Sequence, residues 1–300
     1  MVIYWLSFGD EKVIITIIMN RGLWYDFKVK FLKSGNPAML YIGLNALIFV
    51  VLTLAVLIGS IGGYGTLIDG YISYYLKFSA DPDLWLTHFY TVLTYQFLHA
   101  NFFHLFFNLL FLYWVGQLLL DFVKPRQFHL VYLGGGILGA ICFALIYNLI
   151  PFFNGSVQGA TLEGASAAVM AVFTALATLV PNYNLRLMFL GNVKIKYLLL
   201  VYIFLDLIGT TSTNAGGSIS HLGGAMFGFI YIKLLQNGTD LSTIFRRKPK
   251  LKVVKNENPR KSADIINQKE VDAILDKISK SGYDKLSREE KETLFKASKN

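Results

Sequence analysis

Cysteine occurs once in the 300 residues, at Cys142. A single thiol excludes an intramolecular disulfide and a cysteine metal cluster, and its apolar neighbours suit a small core residue. Charge is also scarce. Only 16% of residues are Asp, Glu, Lys or Arg, against about 25% in a soluble domain. The shortage is local: residues 38–236 hold very few charges, whereas residues 237–300 hold 16 Lys/Arg and 10 Asp/Glu. Two solvents are implied, one apolar and one aqueous. A basic tail behind an apolar domain fits the cytoplasmic side of a membrane better than nucleic acid, so no nucleic-acid partner is expected. The His-Glu-x-x-His signature is missing, and His99 and His104, five residues apart, share no helix face, so neither a metal nor a cofactor is expected. The apolar run Val13–Met19 is short and has no small-residue cleavage site, so it does not read as a secretory signal.

What the chain does have is long apolar runs: 54% of residues are hydrophobic and mean hydropathy is +0.48. A bilayer core of about 30 Å needs about 20 apolar residues at about 1.5 Å rise. Six segments approach that length: residues 38–57, 101–120, 128–150, 164–180, 196–210 and 219–235. The fold class expected is therefore all-α, a polytopic six-helix membrane bundle. The fourth segment is short, so one of its ends is expected below the membrane surface.

Basic residues in the connections set orientation. Arg21, Lys28, Lys30 and Lys33 precede the first segment; Lys124 and Arg126 lie between the second and third; Arg186, Lys194 and Lys196 lie between the fourth and fifth; Lys233 and Arg246 to Lys250 follow the sixth. The alternate connections are poor in basic residues, so both termini are expected in the cytoplasm. The connection 58–100, with Trp85, Phe89 and Tyr90, reads as a partly embedded loop on the outer face. Domain boundaries follow: an N-terminal interfacial segment 1–37, a membrane domain 38–236, a basic linker 237–267 with Pro249 and Pro259, and a soluble helical hairpin 268–300. In the hairpin, Val271, Ile274, Leu275 and Ile278 recur at helical spacing, Gly282 is a stop, and Ser287 with Glu290 forms a capping box. Two short helices bury little, so this hairpin is expected to be marginal alone.

Polar residues in apolar helices are costly, so each needs a reason. With the orientation above, His104 and Asn108 lie in the outer half of the second segment. Ser166 lies in the first turn of the fourth, and His221 in the first turn of the sixth. A serine, two histidines and an asparagine thus share one depth. Ser166 stands in Gly164-Ala165-Ser166-Ala167-Ala168, and the sixth segment offers Gly224 and Gly228 at four-residue spacing. Such small-residue surfaces let helices approach closely. If they pack, His221 comes within reach of Ser166 and can take its proton, making it a nucleophile. His104 and Asn108, four apart on one face, are neutral donors suited to an oxyanion or simply to interhelical hydrogen bonds. Asp206, inside the fifth segment, reads as a gate or proton site, or as a hydrogen-bonded structural carboxyl.

These motifs resemble those of the rhomboid intramembrane serine proteases. Leu93 to His99 followed by His104-Leu105-Phe106-Phe107-Asn108 looks like that family's second helix. Gly164-Ala165-Ser166-Ala167 is similar to its Gly-x-Ser-Gly motif, and Ser220-His221-Leu222-Gly223-Gly224 with Gly228 to its Ala-His-x-x-Gly-x-x-x-Gly motif. The resemblance implies a Ser166–His221 dyad, oxyanion donors in His104, Asn108 and the Ser166 amide, transmembrane proteins as substrates, and residence in a cell membrane with the site toward the outer face. It says nothing of oligomeric state. The chain departs from the pattern at Ala167 and Ser220, lacks a Trp-Arg pair in the first outer loop, and has Met170 where an aromatic residue commonly supports the histidine. Inactive relatives lack the serine or the histidine, and this chain has both. The competing expectation is a non-catalytic relative, a pseudoprotease, chaperone or transporter, that uses the same polar cluster for binding.

Overall fold

The computed structural model describes residues 2–8, 11–17, 25, 28–187, 191–212, 214–244 and 268–298. The expected linker, with Pro249 and Pro259, lies largely outside these residues. The chain divides into two compact units, Met1–Arg246 and Arg247–Asn300.

The first unit opens with a β-hairpin, β1 (Val2–Phe8) and β2 (Glu11–Ile17). Among the described residues seven α-helices of more than ten residues follow in this unit: α1 (Pro37–Ile61), α2 (Gly65–Leu76), α3 (Phe102–Leu120), α4 (Pro125–Leu149), α5 (Ser166–Leu179), α6 (Ile195–Gly209) and α7 (Ala215–Gln236). The first, third, fourth and seventh are long and apolar enough to cross a membrane. The six expected segments correspond to these four plus α5 and α6, and α2 belongs to the long connection between the first two segments. Local chemistry sets the helix starts. Asn36 caps α1 by accepting from the Met39 amide, and Asn101 caps α3 by accepting from the His104 amide. Pro37 and Pro125 occupy first helical positions, where a missing N–H costs nothing.

α5 sits at the centre. With 14 residues it is only about 21 Å long, and 11 of them are buried. A helix apolar and buried on all sides belongs to the core rather than to an amphipathic surface. It packs most intimately on α7. A Cβ placed on Gly224 would strike the Ala167 carbonyl, and one on Gly228 the Ala171 carbonyl. On the other flank, Gly135 and Gly139 of α4 accept the methyls of Ala171 and Ala167. α1 is held to α4 by Asn45, which donates to the Tyr132 hydroxyl at 3.1 Å, and by Tyr41 stacked on Tyr132.

The connection from 62 to 101 is ordered against the end of the bundle where α5 begins. Two-residue strands β3 (Phe78–Ser79) and β4 (Thr161–Leu162) pair, and Lys77 bridges Glu163 at 3.0 Å. Tyr95 is buried; its hydroxyl donates to the Gly136 carbonyl and its own carbonyl accepts from the Gly164 amide. The opposite end carries a third pair, β5 (Asn184–Leu187) with β6 (Gly191–Lys194), and a polar knot around Asp240. Arg126, Gln127, Tyr231 and Ser242 all donate to the Asp240 carboxylate. The membrane unit therefore continues past Gln236 to about the turn Leu241–Thr243. The second unit is a hairpin of α8 (Gln268–Ser281) and α9 (Arg288–Ala297), with Gly282 at φ +82, the Ser287/Glu290 capping box, a Lys277–Glu290 ion pair, and Val271, Ile274 and Leu286 buried.

Partial burial would raise the Asp240 carboxyl, but hydrogen bonds from Ser242, Gln127 and Arg126 outweigh it and hold the group well below the usual carboxylate range. A depressed folded-state value stabilises above the unfolded carboxylate value of about 3.9 and is lost as pH falls below it. Asp240→Asn should therefore lower the melting temperature at pH 7, with a loss of about 1–3 kcal/mol. The gap from wild type should close as pH falls below about 4. A chain ending at Gln236 should melt below one ending at Ile244. Thermal denaturation in detergent at two pH values checks both.

Candidate active site

At the end of the bundle where α5 begins, a cavity of about 270 Å³ is lined by His104, Asn108, Glu163, Ser166, Met170, Tyr202 and His221, among others. Four of these are the polar residues expected to share one depth, and they arrive on three different helices, α3, α5 and α7. Ser166 is the first residue of α5. Its amide therefore has no carbonyl one turn back to bond to, and the helix dipole adds partial positive charge there. His104 and Asn108 stack one turn apart on α3, where the Asn108 side-chain amide donates to the His104 carbonyl at 2.8 Å. That bond uses one of two amide hydrogens and orients the other.

Two positions differ from the sequence reading. α7 begins at Ala215, four residues before the expected start, so His221 sits in its second turn rather than its first. The polar glycine-rich stretch 215–218 hid this: it lacks the hydropathy of a span but is helical because α4 and α7 pack through it, with Gly216 set against Phe143. Gly164, expected inside the fourth helix, lies before it with φ +126, a backbone region that side chains rarely adopt. It does not pack helix on helix. A Cβ there would come 2.8 Å from Cε1 and 2.9 Å from Nε2 of His104, so the bare backbone is what allows His104 beside Ser166. Gly224 and Gly228 do pack helix on helix, one and two turns beyond His221.

Asp206 has a partner that the sequence did not reveal: its Oδ1 lies 2.9 Å from His221 Nδ1. The signal was present, because Asp206 and His221 face the same end of adjacent antiparallel segments. Pairing across a turn, however, is a matter of helix rotation, which hydropathy does not report. Among the described residues no hydrogen bond joins Ser166 to His221. Hydrogen bonds in a site without its ligand are commonly long and tighten once it is filled. His99 is buried with its ring edge-on to His104, centroids 5.1 Å apart. Among the described residues no cluster of three or more metal-ligating side chains occurs. Glu163, at the cavity rim, is engaged by Lys77.

Gly164→Ala should shift His104 and distort the first turn of α5. Turnover per folded molecule should fall at least about tenfold, as about 1.4 kcal/mol at the barrier implies, while Gly155→Ala, in open space, should be silent. Parallel melting curves separate the effect from misfolding.

No curated protein matches the chain. The described family of unknown function (DUF6576) matches residues 261–300, the region of the α8–α9 hairpin. The Rhomboid domain model matches residues 86–237, just over half of the chain, from the connection before α3 to the end of α7. That stretch contains the whole cavity and the helices that build it, and the chain is accordingly a member of the rhomboid family, an all-α polytopic membrane protein.

Proposed function

We propose that the chain is an intramembrane serine endopeptidase that hydrolyses peptide bonds in or near the transmembrane segments of other membrane proteins. One observation carries this reading: Ser166, His221, His104 and Asn108 line one cavity, with Ser166 opening a helix. In this scheme His221 Nε2 removes the Ser166 hydroxyl proton as Oγ attacks the scissile carbonyl. The carbonyl oxygen gains the negative charge and is held by the Ser166 amide, the His104 ring and the free Asn108 amide hydrogen. His221, now protonated, returns the proton to the leaving amine. Water then repeats the sequence on the acyl-enzyme and frees Ser166. The family supports membrane proteins in a lipid bilayer as substrates. The basic bias of the connections supports cytoplasmic termini and a cavity opening toward the outer face of a cell membrane.

The Ser166→Ala and His221→Ala variants should each abolish cleavage of a single-pass membrane substrate, and the double variant should be no worse, because the two act as a unit. Fluorophosphonate should attach at Ser166 and require His221; a folded protein that neither labels nor cleaves would instead be a binding relative of the family. His104→Ala should cost about 10²–10³ in turnover, and Asn108→Ala less, since part of its donor capacity serves the His104 carbonyl. If these variants melt early but cleave normally once folded, His104 and Asn108 are packing residues. Cysteine labelling in a Cys142→Ala background should reach positions 85 and 155 from outside and 125, 190 and 255 from inside.

A further inference from the structure

We propose that Asp206 is a third member of this site: a positioning residue that holds His221 by its Nδ1 proton and so leaves Nε2 unprotonated and turned toward Ser166. The inference rests on the protease reading above and adds the group that prepares its base.

The geometry starts from the helix pair. Only five residues, 210–214, separate α6 and α7, so the two helices run antiparallel and their facing residues are close in sequence. Gly209, one turn beyond Asp206 on α6, is where a Cβ would strike Ser218, one turn before His221 on α7. A glycine on one helix thus receives a hydroxymethyl group from the other. That contact sets the separation and rotation of the pair. One turn inward, the same register brings Asp206 Oδ1 to 2.9 Å from His221 Nδ1.

The chemistry follows from the donor inventory. In the proposed arrangement the carboxylate accepts and Nδ1 donates the shared proton. A neutral imidazole with Nδ1 protonated carries its lone pair on Nε2, and that is the base a serine needs. When Nε2 takes the serine proton, the imidazolium that forms lies against a buried negative charge. Asp206 is 8% exposed, and its Oδ2 has no hydrogen-bond partner among the described residues. The carboxylate that lines the cavity itself, Glu163, is held by Lys77 at 3.0 Å and so is committed elsewhere. The chain order is serine, carboxylate, histidine. A relay of this kind is recognised by geometry and not by order.

The test uses the full-length protein in detergent with a single-pass membrane substrate. Asp206→Asn keeps shape but can present its amide to Nδ1 and select the wrong tautomer. It should lose about 10²–10⁴ in kcat, with KM within about twofold because substrate binding is untouched, and fluorophosphonate labelling of Ser166 should slow in parallel. Asp206→Leu should lose at least as much, whereas Asp206→Glu should recover part of kcat. Independently of turnover, ¹⁵N-histidine spectra, assigned with His221→Gln, should show His221 protonated on Nδ1 with a slowly exchanging proton that Asp206→Leu abolishes. Wild-type kcat in the Asn and Leu variants, with only the melting temperature lowered, would make Asp206 structural and overturn the inference. So would a His221 protonated on Nε2 in the wild type. Ser166→Ala keeps the two ideas apart. If wild type cleaves and Ser166→Ala does not, a normal Asp206→Asn rejects the positioning role alone. If wild type cleaves nothing, the protease reading fails and the role of Asp206 falls with it, while the spectra still judge the contact.

Discussion

The contact on which everything else depends is the one between α5 and α7. In a bilayer, helices gain little from burying apolar side chains against each other, since lipid tails are equally apolar. What remains is close packing, and close packing needs small residues. Gly224 and Gly228 of α7 meet the Ala167 and Ala171 carbonyls of α5, and Gly135 and Gly139 of α4 close on the same alanines. α5 is thereby gripped along two faces. Its first residue is Ser166, so the grip also sets where the serine stands relative to His221, one turn above Gly224.

A second constraint is the cost of polar groups below the membrane surface. Almost every such group near the cavity is committed. Asn108 is tied to the His104 carbonyl, Asn101 to the His104 amide, Glu163 to Lys77, and His221 to Asp206. The connection before α3 helps by closing that end of the bundle. Tyr95 bonds Gly136 on α4 and the Gly164 amide beside Ser166, so one buried phenol residue couples this connection to the start of α5. In the proposed scheme the Ser166 amide, the second Asn108 amide hydrogen and His221 Nε2 are the groups kept for substrate, and among the described residues buried Asp206 Oδ2 also has no hydrogen-bond partner.

The remote end solves a similar problem with a charge. The Asp240 carboxylate gathers donors from the start of α4, from α7 and from its own turn. This knot lies outside the apolar spans, where its charge is affordable, and it staples two helices that flank α5. The α8–α9 hairpin is built on different physics. Its helices are strongly amphipathic and polar, its core is little more than Val271, Ile274 and Leu286, and caps and one ion pair supply much of its order.

Hydropathy was enough to find six apolar segments, all of them helical and four of them long and apolar enough to cross a membrane, because a run of apolar residues in a chain this poor in charge has only one suitable solvent. Small-residue spacing, read with the same depth argument, singled out Ser166, His221, His104 and Asn108, which the fold gathers around one cavity. Helix boundaries in polar, glycine-rich sequence were not legible: residues 215–218 look like a loop until α4 packs against them. Gly164 looked like one more small helical residue, and only its φ and its distance from the His104 ring show what it does. The pairing of Asp206 with His221 was decided by tertiary structure alone. Depth is a one-dimensional quantity that sequence carries well, whereas which side of a helix faces its neighbour depends on rotation. That rotation is set here by the fit of Ser218 into Gly209, a contact visible only once both helices are in place.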